Sequence, residues 1–337
     1  MNVRYLALGL GLAVCVGAGA TLVMMGAIPG LDDGGTPFPD MQVEMSKEPP
    51  EITAGELQGA AYAAFEEGKF LTALSLAQDA AAKGDPQAYT LIGRIYAEGA
   101  GVSQDHAKAA EAYGHAAERG DVSAMVSLAV MLASGKGVEK NRDKAAELFE
   151  RAARTGDPLA NYNLGLLFLR GDGKPENPHR AFQHIRYAAE KDIPSAQYDL
   201  AALYQSGNGV PNDALEAANW MSKAAASGLT EAEYDYAVML LRGQGLKRDE
   251  SKAVDYLKRA AEKGVAGAQN RLAHVYLDGV AGTPASPADA VKWRLIAKAN
   301  GITRDDKLEL LLASLPPDQI AAAQKAAEEW RDKKQLQ

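Results

Sequence analysis

Cysteine is nearly absent: 337 residues contain one, Cys15. The folded part of the chain therefore has no disulfide and no thiolate metal site. Basic excess is lacking too. The formal net charge is −8, and an acidic surface argues against nucleic acid as a partner, which wants clustered Lys and Arg. Catalytic signatures are missing: there is no H-E-x-x-H, no G-x-S-x-G and no S-x-x-K. The five histidines are His106, His115, His179, His184 and His274, and no two stand three or four apart, as helical metal ligands would. They read as ordinary surface histidines. No catalytic residue, metal ligand or cofactor is expected.

Apolar material is not lacking. It makes up 47% of the chain, enough for a large core. Part of it sits at the start, where Tyr5 to Leu31 is a charge-free run of 27 residues between Arg4 and Asp32-Asp33. About 20 helical residues span a hydrocarbon core. Residues 1–31 therefore read as an uncleaved signal anchor, with Arg4 inside and the rest of the chain outside the cytosol. A cleaved signal peptide is the alternative, using the small residues "AGA" at 18–20. "LAVC" has Val14 where a lipoprotein signal wants a small residue. "DDGGTPFPDMQVEMSKEPPE", 32–51, is rich in Pro, Gly and charge and reads as a flexible linker.

The rest of the chain repeats. Ala88, Ala124, Ala160, Ala196, Ala232 and Ala268 stand 36 residues apart without slippage. Counting each alanine as zero, a large apolar residue follows at +4 and a small one at +5, and another large one stands at +8. Spacings of 0, 4 and 8 form one helical stripe, and the small residue lets a partner helix approach. Glycines at Gly99, Gly135, Gly171, Gly207, Gly243 and Gly279 suit the end of a first helix. Asp105, Asn141, Asn177, Asp213, Asp249 and Ser286 suit the start of a second. The loops between them contain Gly-x-Gly, which alone could pass for a phosphate-binding loop. Such a loop needs a preceding strand. Here a helix precedes it, six times over.

"AYTLIGRIYAEGAGVSQDHAKAAEAYGHAAERGD", 88–121, and "AQYDLAALYQSGNGVPNDALEAANWMSKAAASG", 196–228, carry the pattern A-x-x-x-L-G-x-x-Y-x-x-G-x-G-V, then D-x-x-K-A and A-A-x-x-G. Ala201 and Glu216 are departures in the second stretch, "GDGK" lacks the valine, and the last copy has a spread loop. In these motifs the chain resembles the Sel1-like repeat family, relatives of the tetratricopeptide repeat. The resemblance implies an all-α fold, a right-handed α/α superhelical solenoid of helix pairs. Six repeats would fill 88–303, starting near 88, 124, 160, 196, 232 and 268. A tetratricopeptide-like N-terminal cap would occupy 52–87 and C-terminal capping helices 304–337, since end repeats otherwise expose apolar faces.

Carrying over the geometry of tetratricopeptide solenoids, positions +2, +6 and +10 of each first helix would line a concave groove. Tyr162, Tyr198 and Tyr234 hold +2 in three successive copies, each followed by Asn163, Asp199 or Asp235. Arg170 and Arg242 hold +10. These eight residues are the candidate partner-binding set, with the polar +3 side chains facing an extended partner's backbone. Packing of the tyrosines between neighbouring repeats is the other reading. The resemblance implies a non-catalytic scaffold or adaptor for a protein or peptide. The "LPPDQ…A…W" tail is similar to that of bacterial envelope members, some of which regulate membrane signalling or envelope polymer production. With the N-terminal segment, this gives a periplasmic location at the inner membrane, or a soluble exported form if the segment is cleaved. A cell-wall or polysaccharide enzyme, or a carbohydrate binder using tyrosine stacking, is the alternative function.

Overall fold

The computed structural model describes residues 52–280 and 282–335. The anchor and linker, 1–31 and 32–51, lie outside the described residues. The chain divides into two units, Met1–Glu51 and Ile52–Gln337, and all helices named below belong to the second. Seven helix pairs follow one another: α1 (Ala54–Glu66) with α2 (Phe70–Ala82), α3 (Pro86–Glu98) with α4 (His106–Glu118), α5 (Val122–Ser134) with α6 (Arg142–Arg154), α7 (Pro158–Arg170) with α8 (Pro178–Glu190), α9 (Pro194–Ser206) with α10 (Ala214–Ala226), α11 (Thr230–Arg242) with α12 (Glu250–Glu262), and α13 (Ala266–Asp278) with α14 (Pro287–Ala299). Two further helices, α15 (Asp306–Ser314) and α16 (Pro317–Gln335), close the end. Each first helix packs on its own second helix, and each second helix on the next first helix. This is an all-α repeat solenoid.

Local chemistry sets the helix ends. All six second-helix caps, from Asp105 to Ser286, accept a backbone N–H through the side-chain oxygen, each contributing about 1 kcal/mol. Their own N–H groups reach back across the loop to the +8 carbonyl of the first helix, as in Asn177 to Phe168 at 2.8 Å and Asp213 to Tyr204 at 3.0 Å. The same bond closes the loop in every copy, across one extra residue in the last, where Ser286 reaches Tyr276. Gly99, Gly135, Gly171, Gly207 and Gly243 end their helices in the left-handed conformation. Gly279 leaves it, with φ 68° and ψ 146°, because the spread loop of the last copy closes instead through a bridge between Val280 and Thr283.

The second glycine of the Gly-x-Gly joins repeats. A Cβ on Gly137, Gly173, Gly209 or Gly245 would collide with the carbonyl of the first residue of the preceding pair's second helix: His106, Arg142, Pro178 or Ala214. The motif that resembles a phosphate cradle is thus filled by the neighbouring repeat's backbone.

The alanines at zero are wholly buried in all six copies. At +5, a Cβ on Gly93 would stand 2.7 Å from the Tyr113 ring and one on Gly165 2.7 Å from Ile185 Cγ1, so the expected close approach is real. The expected stripe needs one correction. At +8 only Phe168 and Leu240 are buried, while Tyr96, Leu132, Tyr204 and Tyr276 are half-buried. At +7, Ile95, Met131, Leu167, Leu203, Met239 and Val275 are buried throughout. The seam runs 0, 4, 7, closer to the helical period of 3.6 than 0, 4, 8.

Fully buried Arg294 on α14 ties down the C-terminal end. Its guanidinium donates to Glu309 on α15 at 2.7 Å, to Asn270 on α13 at 3.1 Å, and to the carbonyls of Ile302 and Thr303. A buried charge is tolerable only when so completely paired. Trp293 meets Trp330 of α16 edge to face at 5.7 Å, and the Trp330 indole donates to Glu262 at 2.8 Å.

Candidate partner-binding face

The eight candidate residues lie on the first helices α7, α9 and α11. The structure brings most of them into one chain of contacts. The Tyr162 hydroxyl donates to Asp199 Oδ2 of the next repeat at 2.8 Å. Tyr198 does the same to Asp235, also at 2.8 Å. At the third rung the donor reverses: Arg271 Nε donates to the Tyr234 oxygen at 3.2 Å. Beyond it, Asn270 and His274 of α13 both contact Asp305 Oδ2 at 2.7 Å. The +2 side chain of one repeat thus bonds the +3 side chain of the next, a separation of 37 residues in the first two rungs.

The carboxylates expected to face a partner's backbone, Asp199 and Asp235, are therefore engaged within the chain, and the tyrosines bridge repeats. Tyr162, Tyr198 and Tyr234 are only half-buried, so each keeps ring surface on the open face. Asn163 has no tyrosine before it, since +2 of its neighbour is Val126. It donates instead to the Leu159 carbonyl of its own helix at 2.8 Å. Arg170 and Arg242 end their helices exposed.

Burial and the adjacent carboxylate push the Tyr162 and Tyr198 hydroxyls well above the ordinary phenol range. Burial also raises the Asp199 carboxyl, against the pull of the Tyr162 hydroxyl and the Arg170 charge. Asp305 goes the other way: burial raises it, but bonds from Asn270, His274 and the Leu308 N–H outweigh this and hold it below the usual range.

Next to the first rung the face turns apolar. Val130 on α5 and Leu159 at the start of α7 are 47% and 48% exposed. Val126 and Leu166 lie beside them at helical spacing, half-buried. The face thus offers tyrosine ring edges, two guanidinium groups and a small apolar end.

Two features were not anticipated. His184, expected at the surface, is half-buried, lies parallel to the Phe168 ring at 5.7 Å, and contacts Asn161 Oδ1 at 2.9 Å. Asn161 uses its amide N–H on the Asp157 carbonyl at 2.8 Å, so its oxygen faces the imidazole and Nδ1 is the donor. Burial, with Arg180 nearby, lowers the His184 pKa. The second is a row of buried polar side chains at +1: Asn161, Gln197, Glu233 and Gln269. Gln197 and Gln269 donate to the carbonyls of Ala189 and Ala261, closing the end of the preceding second helix. No group of three or more metal-ligating side chains occurs among the described residues. No helix among them is long and apolar enough to cross a membrane.

Fold and face together define a helix-pair repeat scaffold. The chain belongs to the Sel1 repeat family, whose model matches residues 86–121, 122–157, 158–193, 194–229, 230–265 and 266–301. It is similar to a Sel1 repeat protein from Oxalobacter formigenes, at 28% identity and a TM-score of 0.63, over 72% of this chain and 96% of that one. It also matches c5321, a protective antigen of uropathogenic Escherichia coli with an SLR fold, at 23% identity and a TM-score of 0.37, over 83% and 76% of the two chains. No curated protein matches the chain. Sel1 repeats generally build scaffolds for protein–protein contact and are typically non-catalytic.

Proposed function

We propose that this chain is a non-catalytic adaptor of the bacterial cell envelope that holds an extended segment of a partner protein along the first-helix face from α5 to α11. The observation that carries this reading is the tyrosine row itself. Its rings are tied by bonds to the next repeat and remain partly exposed, beside exposed Val130, Leu159, Arg170 and Arg242. Rigid amphipathic anchors lose little entropy on binding, and the two guanidinium groups favour acidic groups on the partner. The occupied hydroxyls of Tyr162 and Tyr198 favour a protein over a sugar, which would need them as hydrogen-bonding groups. The envelope location rests on the apolar run 5–31 and Arg4. Membrane signalling or envelope polymer production is the work we assign it, on resemblance to exported family members.

A photo-crosslinking residue at Val130 or Arg170 should give adducts in bacterial cells, while one at Asp255 or Lys258, exposed on α12, should not. Equal adducts from α12 would move the site off this face. Alkaline phosphatase fused after Gln337 should be active in a bacterial host, and an inactive fusion would refute the location.

A further inference from the structure

The second helices carry a different surface. Between α6 and α8 lies a groove of about 290 Å³, lined by Ala153 and Leu164 and by Glu150, Arg154, Arg180 and His184. Arg154 ends α6, and Arg180 stands in the first turn of α8. Neither guanidinium has an ion-pair partner among the described residues. Glu150, the one carboxylate of the lining, is taken by Lys174 at 3.1 Å. The groove thus keeps two uncompensated cations, on a chain whose net charge is −8. The same two positions hold Glu118 and Lys144 one repeat earlier, and Glu190 and Glu216 one repeat later. The repeat fold therefore does not itself call for two cations here.

Buried Phe168 holds two of these groups in place. The Arg180 guanidinium lies 4.4 Å from its ring centre, and the His184 ring lies parallel to it at 5.7 Å. Asn161 takes His184 Nδ1 as a donor at 2.9 Å. That leaves Nε2, which has no partner among the described residues, as the nitrogen open to the groove. Burial and the Arg180 charge, against the pull of Glu150, lower the His184 pKa and keep a proton off Nε2 at neutral pH. A dianion between the guanidinium groups would reverse that balance. Planar guanidinium donors match the oxygens of a phosphate. We infer that this groove binds a phosphate monoester group, whose oxygens accept from Arg154 and Arg180 and whose charge draws a proton onto His184. The site is independent of the first-helix face and uses none of its residues.

The probe is phenyl phosphate, titrated into the full chain at constant ionic strength and followed through the histidine ring signals by NMR. The His184 signals should shift and saturate with a Kd of about 1–10 mM. The His184 titration midpoint should rise, while those of His106, His115 and His274 stay in place. Arg154→Gln and Arg180→Gln, both at exposed positions, should each weaken binding at least about fivefold. Lys144→Gln, at the position equivalent to Arg180 one repeat earlier, should leave it unchanged. Unmoved His184 signals at about 20 mM probe, undiminished binding by both arginine variants, or an equal loss in Lys144→Gln would overturn the proposal.

Discussion

Tyr162 and Asp199 stand 37 residues apart and share a 2.8 Å hydrogen bond, and Tyr198 and Asp235 repeat it one unit later. The bond lies on the interface between repeats, not within one. In a one-dimensional array, that interface decides how far order propagates. Tyr162→Phe removes the donor and keeps the ring. It should destabilise the chain by about 1.5–3 kcal/mol, as for hydrogen bonds to charged groups, seen as a lower urea midpoint. Hydrogen exchange should rise chiefly in α7 and α9. An unchanged midpoint would mean that the bond contributes nothing net.

Asp199 gives the same rung a pH dependence. Its folded-state pKa lies above the ordinary value, mainly through burial. A raised carboxyl stabilises the fold fully below its unfolded pKa, near 3.9, and that contribution is lost as pH rises through the folded value. Asp199→Asn keeps an acceptor for the Tyr162 hydroxyl and cannot ionise. The stability of the variant minus that of the parent should therefore increase from about pH 4 upward and level off above the folded pKa. Taking the difference cancels Asp305, whose lowered pKa acts in the opposite sense. A flat difference between about pH 3.5 and about pH 7 would refute this.

Much of this was legible in the sequence, and the parts that were not have physical reasons. The alanine register, the glycine ends and all six second-helix caps follow from local rules of steric fit and N–H satisfaction, which need no knowledge of neighbours. The tyrosine row was legible as a row. Its bonding was not, because a +2 to +3 contact between repeats depends on how one helix is offset from the next. The buried +1 residues were hidden for a different reason. Asn, Gln and Glu are rarely buried, and here they are buried because each meets a free carbonyl or cation supplied by another helix. His184 was misplaced for the same reason, since its partner is one of them.

Among these buried amides, Gln197 is incomplete. It is 1% exposed, and its Oε1 has no hydrogen-bond partner among the described residues. The two following copies show what is missing. The residue that ends the second helix reaches back: Lys263 Nζ to Glu233 at 2.8 Å, and Asn300 Nδ2 to Gln269 Oε1 at 2.9 Å. The equivalent end of α10 is Ser227, whose hydroxyl turns to the Lys223 carbonyl. Ser227→Asn should supply the donor and stabilise the chain by about 1 kcal/mol. Gln197→Ala in that background should then cost more than in the parent. Equal costs would show that no new bond had formed.

Gly165 tests the seam within a repeat. Its missing Cβ leaves room for Ile185 Cγ1, and the Ala181 carbonyl stands 3.2 Å from where that Cβ would be. Gly165→Leu should cost roughly 1–3 kcal/mol or more through overpacking. Loss of amide protection should centre on α7 and α8. Uniform loss from α1 to α16 would contradict nearest-neighbour coupling.

The Gly-x-Gly loop offers the contrast between conformation and contact. Gly209 and Gly264 both hold positive φ, at 78° and 95°. A Cβ on Gly264 would meet nothing within 4 Å, whereas one on Gly209 would strike the Pro178 carbonyl. Gly264→Ala should therefore cost only the left-handed backbone penalty, about 1–2 kcal/mol. Gly209→Ala carries that penalty too, and must also push the loop off the N-terminal end of α8. Pro178 is the first residue of that helix, so its carbonyl is held along the helix axis as the acceptor of the first helical turn and has little freedom to turn aside. The second variant should lose more stability than the first, and should also expose the contact between the α9–α10 loop and α8 to hydrogen exchange. If the two variants melt together, the loop yields without strain and the glycine is there for its φ alone.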